Sequence, residues 1–276
     1  MGHVFTPEEF ASGKMPNRAS FRQANHLVRL LLEQVLEQGH IRGAVINGSA
    51  TTGSAKPGSD MDVVVVLSSL EAMDYLEAFK TKVRYDTFVP VEFVPEYEDL
   101  ALRGHHRIDY FFNQYLAAQP ASNVIGINPV TFFAEKLAWT NPRAERVEET
   151  YGKIRKITKR LIGAVRFDAE YCNALQQVLA LPIVAALDRI RVDDGKNPID
   201  SKGRMPSKAE LVNMYSKRYG ADSVLKEALE RTIAYSKSLV KLPNNTSYVD
   251  ILNSIREFAP SAITFARVTA EAMERG

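Results

Sequence analysis

The stretch Gly43-Ala44-Val45-Ile46-Asn47-Gly48-Ser49, followed after ten residues by Asp60-Met61-Asp62-Val63-Val64-Val65-Val66-Leu67, decides how this chain is read. Gly43 to Ile46 is short, apolar and β-branched, and the residues from Asn47 to Ser59 are rich in Gly, Ser, Thr and Pro, so a strand runs into a turn-rich loop. The four consecutive valines after Asp62 suit a strand buried on both faces. Residues two apart in a strand project from one face, which sends the Asp60 and Asp62 carboxylates the same way. Like charges that close repel unless a cation lies between them, and hard oxygen ligands suit Mg2+. Upstream, Gly48 and Ser49 expose backbone amides and a hydroxyl where glycine lets a phosphate come near. Asp also favours turns, and an isolated Asp-x-Asp would be read that way; the flanking strand and glycine turn favour the site.

Outward from this core, Thr6-Pro7-Glu8-Glu9 has the cap, proline and early acids of a helix start, and Ser20 to Gln38 carries a helical apolar stripe that Gly39 stops. A short helix is expected over 69–80 and a third strand over 87–94, where Pro90 implies an edge position or a bulge. From Pro95 the pattern is helical, with segments expected at 96–104, 108–118, 129–139, 143–167, 168–191, 207–219, 222–241, 247–258 and 261–274. Ser207-Lys208-Ala209-Glu210 is a capping box, so the polar residues before it form a loop. The expected fold class is α+β: a small mixed-sheet domain at 1–125 followed by an all-helical domain at 126–276.

An apolar content of 45% is ordinary for a chain that buries a core, and a formal charge of +2, from 35 basic and 33 acidic residues, exerts no general pull on nucleic acid. The single cysteine, Cys172, excludes an intramolecular disulfide and a cysteine metal cluster, so a reducing, cytoplasmic setting is expected. The N-terminal residues do not read as a signal peptide, and no apolar run approaches a membrane span, so no membrane contact is expected. Gly2 to Thr6 fits a loose myristoylation pattern and Asn47-Gly48-Ser49 a glycosylation acceptor; patterns this short match by chance, and neither is adopted.

Ile46-Asn47-Gly48-Ser49, ten residues, and Asp60-Met61-Asp62-Val63 together resemble the signature of the DNA polymerase β superfamily of nucleotidyltransferases, antibiotic-modifying members included. Gly53 and Ser59 also match positions frequently seen there, and the likeness covers about 41–95. It implies a palm-like catalytic domain, an NTP co-substrate with ATP favoured, and two Mg2+ ions. A third carboxylate is implied on a neighbouring strand, where Val91-Glu92-Phe93 matches; Glu92 would be both metal ligand and acceptor of the hydroxyl proton. Gly48, Ser49 and Ser59 would hold the nucleotide. Two departures stand out: Thr52 where many relatives carry Arg or Lys, and Glu92 where many use Asp. Lys136, or the helix with Lys153, Arg155, Lys156, Lys159 and Arg160, is the candidate substitute for the missing phosphate contact, although such residues commonly form a solvated helix face.

A P-loop ATPase fails because Ser54-Ala55, not Lys-Ser/Thr, follows Gly53. His105-His106 lacks a second ligand pair and reads as surface. The expected reaction moves a nucleoside monophosphate onto a hydroxyl with release of pyrophosphate. Glu92, Glu96, Glu98 and Asp99 suggest an acidic pocket and hence a small, aminoglycoside-like acceptor, although the last three also suit a helix's first turn. A tRNA end or a protein hydroxyl remains the alternative acceptor, the former drawing on the basic run Lys153 to Arg166. A degenerate nucleotide-sensing module is the non-enzymatic alternative.

Overall fold

The computed structural model describes residues 18–48, 51, 60–103, 108–133, 142–164, 169–200, 204–219, 226–231, 234 and 248–276. It divides into two compact units, Met1–Ala138 with Ser201–Arg204, and Trp139–Asp200 with Met205–Gly276.

In the first unit the order is α1 (Arg18–Glu37), β1 (Ile41–Asn47), β2 (Met61–Leu67), α2 (Glu71–Thr87), β3 (Val91–Tyr97), α3 (Glu98–Leu102), α4 (Tyr110–Ala117), a 3-10 turn at Ala121–Asn123, β4 (Val124–Gly126) and α5 (Val130–Phe133). The strands form one mixed sheet in the order β3-β2-β1-β4: β2 and β3 are parallel, and β1 is antiparallel to both β2 and β4. The valine run shows why β2 is central. Val63 and Val65 pack into the cluster with Val28, Leu32 and Val35 of α1 and Leu76 and Val83 of α2. Val64 and Val66 pack on the opposite face with Ala101 of α3, Ile108 just before α4 and Leu116 of α4. Alternation along the strand thus buries every valine, two to each side.

The third strand lies later than the sequence pattern suggests. Residues 87–94 were expected to be extended, but α2 runs through Thr87, because Leu76, Val83 and Thr87 continue one buried helix face. Phe88 then closes the helix in the left-handed region (φ 60°), its N–H donating to the Arg84 carbonyl. Pro90 precedes β3, and its carbonyl accepts the Met61 N–H at 2.9 Å. The proline within the strand is Pro95, and β3 is an outer strand, as the edge rule for proline requires. The three-residue β4 was not anticipated; Val124-Ile125-Gly126 is too short for a periodic signal and is fixed by pairing with β1.

The second unit is helical: α6 (Pro142–Gly163), α7 (Ala169–Asp194), α8 (Lys208–Tyr219) and α9 (Tyr248–Arg275), with residues 226–231 also helical. Its core joins Ile157 of α6, Leu175, Val178 and Ile190 of α7, Leu211 and Tyr215 of α8, and Ile255, Phe258 and Phe265 of α9. The expected capping box is formed: the Ser207 N–H donates to Glu210 Oε2 at 2.7 Å and the Glu210 N–H to Ser207 Oγ at 3.3 Å. Two helices expected at 247–258 and 261–274 are the single helix α9, which passes through Pro260. Burial of Phe258, Ala262 and Phe265 on either side of the proline keeps the helix continuous despite the lost amide. The structure is of the expected α+β class, a mixed-sheet unit followed by helices.

One glycine sets the spacing between β1 and the segment after β4. A Cβ on Gly43, at the register irregularity of β1, would stand 1.9 Å from the Ile127 carbonyl oxygen, which is backbone and has no rotamer to change. We predict that Gly43→Ala costs at least about 2 kcal/mol in urea unfolding of the full chain; an unchanged midpoint would mean that the β1–β4 edge is not held as described.

Candidate active site

Register brings the carboxylates together. Asp62 on β2 is the direct neighbour of Glu92 on parallel β3, so both side chains leave the same face of the sheet. Asp60 immediately precedes β2 and has the same parity as Asp62. Asp60, Asp62 and Glu92 each offer a carboxylate oxygen, and these oxygens lie within 4.8 Å of one another. All three residues are partly buried. Burial, then the Asp60 charge, and to a lesser degree Glu92, push the Asp62 carboxyl from its ordinary 3.8 up to about 7.

Gly48 closes the other side. It has φ +87°, in the left-handed region, and a Cβ there would meet Asp62 Oδ2 at 2.7 Å. Both the turn and the proximity of the carboxylate therefore require glycine. The Gly48 carbonyl accepts from the Thr51 N–H at 3.3 Å and Oγ1 at 2.9 Å. The Gly48 N–H donates to the Tyr115 hydroxyl at 3.4 Å. Tyr115 comes from α4, stacks on Phe112 with ring centroids 6.2 Å apart, and has its phenol pushed up chiefly by burial. Nothing in Tyr110-Phe111-Phe112-Asn113-Gln114-Tyr115 singled it out by sequence, since an aromatic on an amphipathic helix reads first as core.

Of the remaining candidates, Ser49, Gly53, Ser59, Lys136 and His105-His106 lie outside the described residues. Glu96 is buried on the same sheet face as Glu92. Glu98 and Asp99 open α3, and Glu98 pairs with Arg42 at 3.1 Å. In the helical unit Lys153 pairs with Glu149 and Arg155 with Glu148, each at 2.6 Å, while Lys156 and Lys159 are exposed. Cys172 lies on α7. Among the described residues no helix is long and apolar enough to cross a membrane. A groove of about 1200 Å³ runs between α2 and the outer edge of β3, lined by Phe93, Phe88, Met73, Lys80 and Arg84 among others, and of the three carboxylates Glu92 alone borders it.

A carboxyl whose folded pKa is raised favours folding at low pH and withdraws that support as pH climbs from 3.8 through about 7. Asp62→Asn removes the strained charge at nearly constant volume. We predict that, without divalent cation, the variant is more stable than the parent at pH 8 by about 1–3 kcal/mol, and that the gap closes toward pH 4. Parallel stability–pH curves for the two proteins would show that Asp62 carries no such penalty.

Residues 28–113 match the family model of the nucleotidyltransferase domain, a stretch that reaches from α1 to α4 and contains Gly48, Asp60, Asp62 and Glu92. No curated protein matches the chain. The expectation raised by the Gly-Ser and Asp-x-Asp motifs holds at this level: residues 28–113 are a nucleotidyltransferase domain of the DNA polymerase β type, and the chain that carries them is an enzyme of the transferase class.

Proposed function

We propose that the chain moves a nucleoside monophosphate from an NTP, ATP favoured, onto a hydroxyl acceptor with release of pyrophosphate. The observation that carries this reading is the convergence of Asp60, Asp62 and Glu92 beside the Gly48 turn. The residues fit a divalent cation: three hard oxygen donors meet, and Asp62 resists ionisation because it is buried and lies beside Asp60 and Glu92. When bound by these three carboxylates, Mg2+ supplies positive charge that neutralises phosphoryl oxygens and makes the acceptor hydroxyl more acidic.

The protein's own groups do the rest. Glu92 sits on the outer strand, where it borders both the carboxylate cluster and the groove along α2. From there it takes the acceptor's hydroxyl proton as that oxygen bonds to the α-phosphorus and the bond to the pyrophosphate oxygen breaks. Gly48 brings backbone close to the nucleotide, Ser49 and Ser59 keep the phosphate-binding roles that the resemblance gives them, and Lys136 is proposed as the substitute for the phosphate contact missing at Thr52. The two-ion arrangement and a cytoplasmic setting, the latter supported by the single cysteine, belong to the same proposal.

The groove that Glu92 borders along α2 is the proposed entry for a small acceptor. Its charged lining is mixed, with Asp74, Glu77, Lys80 and Arg84 following one another along α2. Burial of Glu96 and pairing of Glu98 with Arg42 remove two acids from the argument for a polycation, so the proposal is a small hydroxylated compound without commitment to its charge.

The test is to incubate the purified chain with Mg2+ and each labelled NTP, against a small-molecule library and separately against total RNA and protein, while following pyrophosphate. Label on a small compound is expected. Label on RNA or protein instead would sink the small-acceptor reading and leave nucleotidyl transfer standing. Asp60→Asn and Asp62→Asn are expected to abolish transfer, and Glu92→Gln to lower it by at least about two orders of magnitude. Parental turnover in the two Asp variants would overturn the site. Ser49→Ala is expected to weaken nucleotide binding more than it lowers the melting point; the reverse pattern would make Ser49 a turn residue.

A further inference from the structure

Asn47 is the last residue of β1 and pairs directly with Asp62 across the antiparallel ladder. Direct cross-strand neighbours share a sheet face with Cβ atoms about 4.5–5.5 Å apart, which is within reach of a side-chain amide for a carboxylate. Asn47 is 2% exposed, and its Nδ2 has no hydrogen-bond partner. A buried amide donor is rarely left without an acceptor in a native fold, and one that is calls for an explanation. On the glycine side of Asp62 the Tyr115 hydroxyl accepts from the Gly48 N–H, and Asn47 flanks Asp62 from the strand side.

We propose that Asn47 is a positioning residue for Asp62: with a divalent cation in place, its Nδ2 donates to the Asp62 carboxylate and holds that ligand in one orientation. This rests on the metal site of the preceding section. Asn47 is too buried to touch substrate, so its effect passes through Asp62 alone. Without the cation, the Asn47 amide has no partner. The arrangement explains why a buried polar residue follows Ala44-Val45-Ile46 at the end of the strand. Groups that orient metal ligands from behind commonly change affinity by about 10- to 100-fold when removed.

The competing role is structural. Asn113 Oδ1 on α4 is another buried atom without a partner, and an amide pairing between Asn47 and Asn113 would serve the fold instead. The two roles part in measurements that need no turnover. In the full chain, Mn2+ affinity is measured by water-proton relaxation, and melting is followed without metal, for Asn47→Leu and Asn47→Ala. Mn2+ Kd is expected to rise about 10-fold or more in both, while the metal-free melting point stays level or rises because an unsatisfied donor has gone. Asn47→Ser, which keeps a hydroxyl donor, is expected to recover part of the affinity. Parental Mn2+ affinity in the Leu and Ala variants overturns the inference, and a lowered metal-free melting point alongside it assigns Asn47 to the fold. Asp60→Asn is the control: if it too keeps parental affinity, the metal site itself is wrong, whereas loss of affinity in Asp60→Asn alone isolates the failure to Asn47.

Discussion

The repulsion among three carboxylates governs how the N-terminal unit is built. The carboxylate oxygens of Asp60, Asp62 and Glu92 lie within 4.8 Å of one another, and burial together with the Asp60 and Glu92 charges raises the pKa of Asp62. A flexible scaffold would relieve the strain by letting the groups drift apart. Here β2 is clamped between β1 and β3 and buried on both faces, with Val63 and Val65 on one side and Val64 and Val66 on the other. Close packing of that kind resists the sub-ångström shifts that would separate the charges. The apolar run and the acidic pair are therefore one device: hydrophobic burial supplies the stiffness that electrostatics opposes.

How much of this the sequence discloses depends on whether the signal is periodic. The Gly48 turn, the Asp60–Asp62 spacing and the valine strand are local patterns with one physical meaning each, and the Ser207–Glu210 cap is another. Glu92 was readable only through resemblance, because its partnership with Asp62 depends on a parallel register across 30 residues. The start of β3 is displaced for a related reason: Thr87 to Val94 has β-branched residues and a proline, but packing of Val83 and Thr87 carries the helix through Thr87, and the strand opens only at Val91. Tyr115 and Asn47 gave no sequence signal. One looks like core and the other like a turn residue until the sheet register sets them around Asp62.

The helical unit shows a second use of buried charge. Asp188 on α7 is almost wholly enclosed; burial pushes its carboxyl up while Arg191, Lys153 and Arg146 act against that. Arg191 lies 3.0 Å from it, and Arg146 on α6 also reaches Glu149 at 2.6 Å. An ionic cluster in a core adds little net stability over an apolar one, but breaking it leaves a charge uncompensated. It thus couples α7 to α6, whose Lys153 and Arg146 charges act on Asp188.

The position of β3 at the open edge of the sheet carries one more consequence. Glu92 can serve a groove on its outer side only if no further strand covers it, yet an uncovered strand offers its backbone to any extended segment that meets it. Pro95 within β3 removes an amide from that edge, and the adjoining α2 crowds one side of it. Access for a ligand and protection from self-association are thus settled in the same seven residues. Replacing the proline with a β-branched residue would lengthen the adhesive edge and raise the tendency of the protein to aggregate through sheet extension, without touching a single carboxylate.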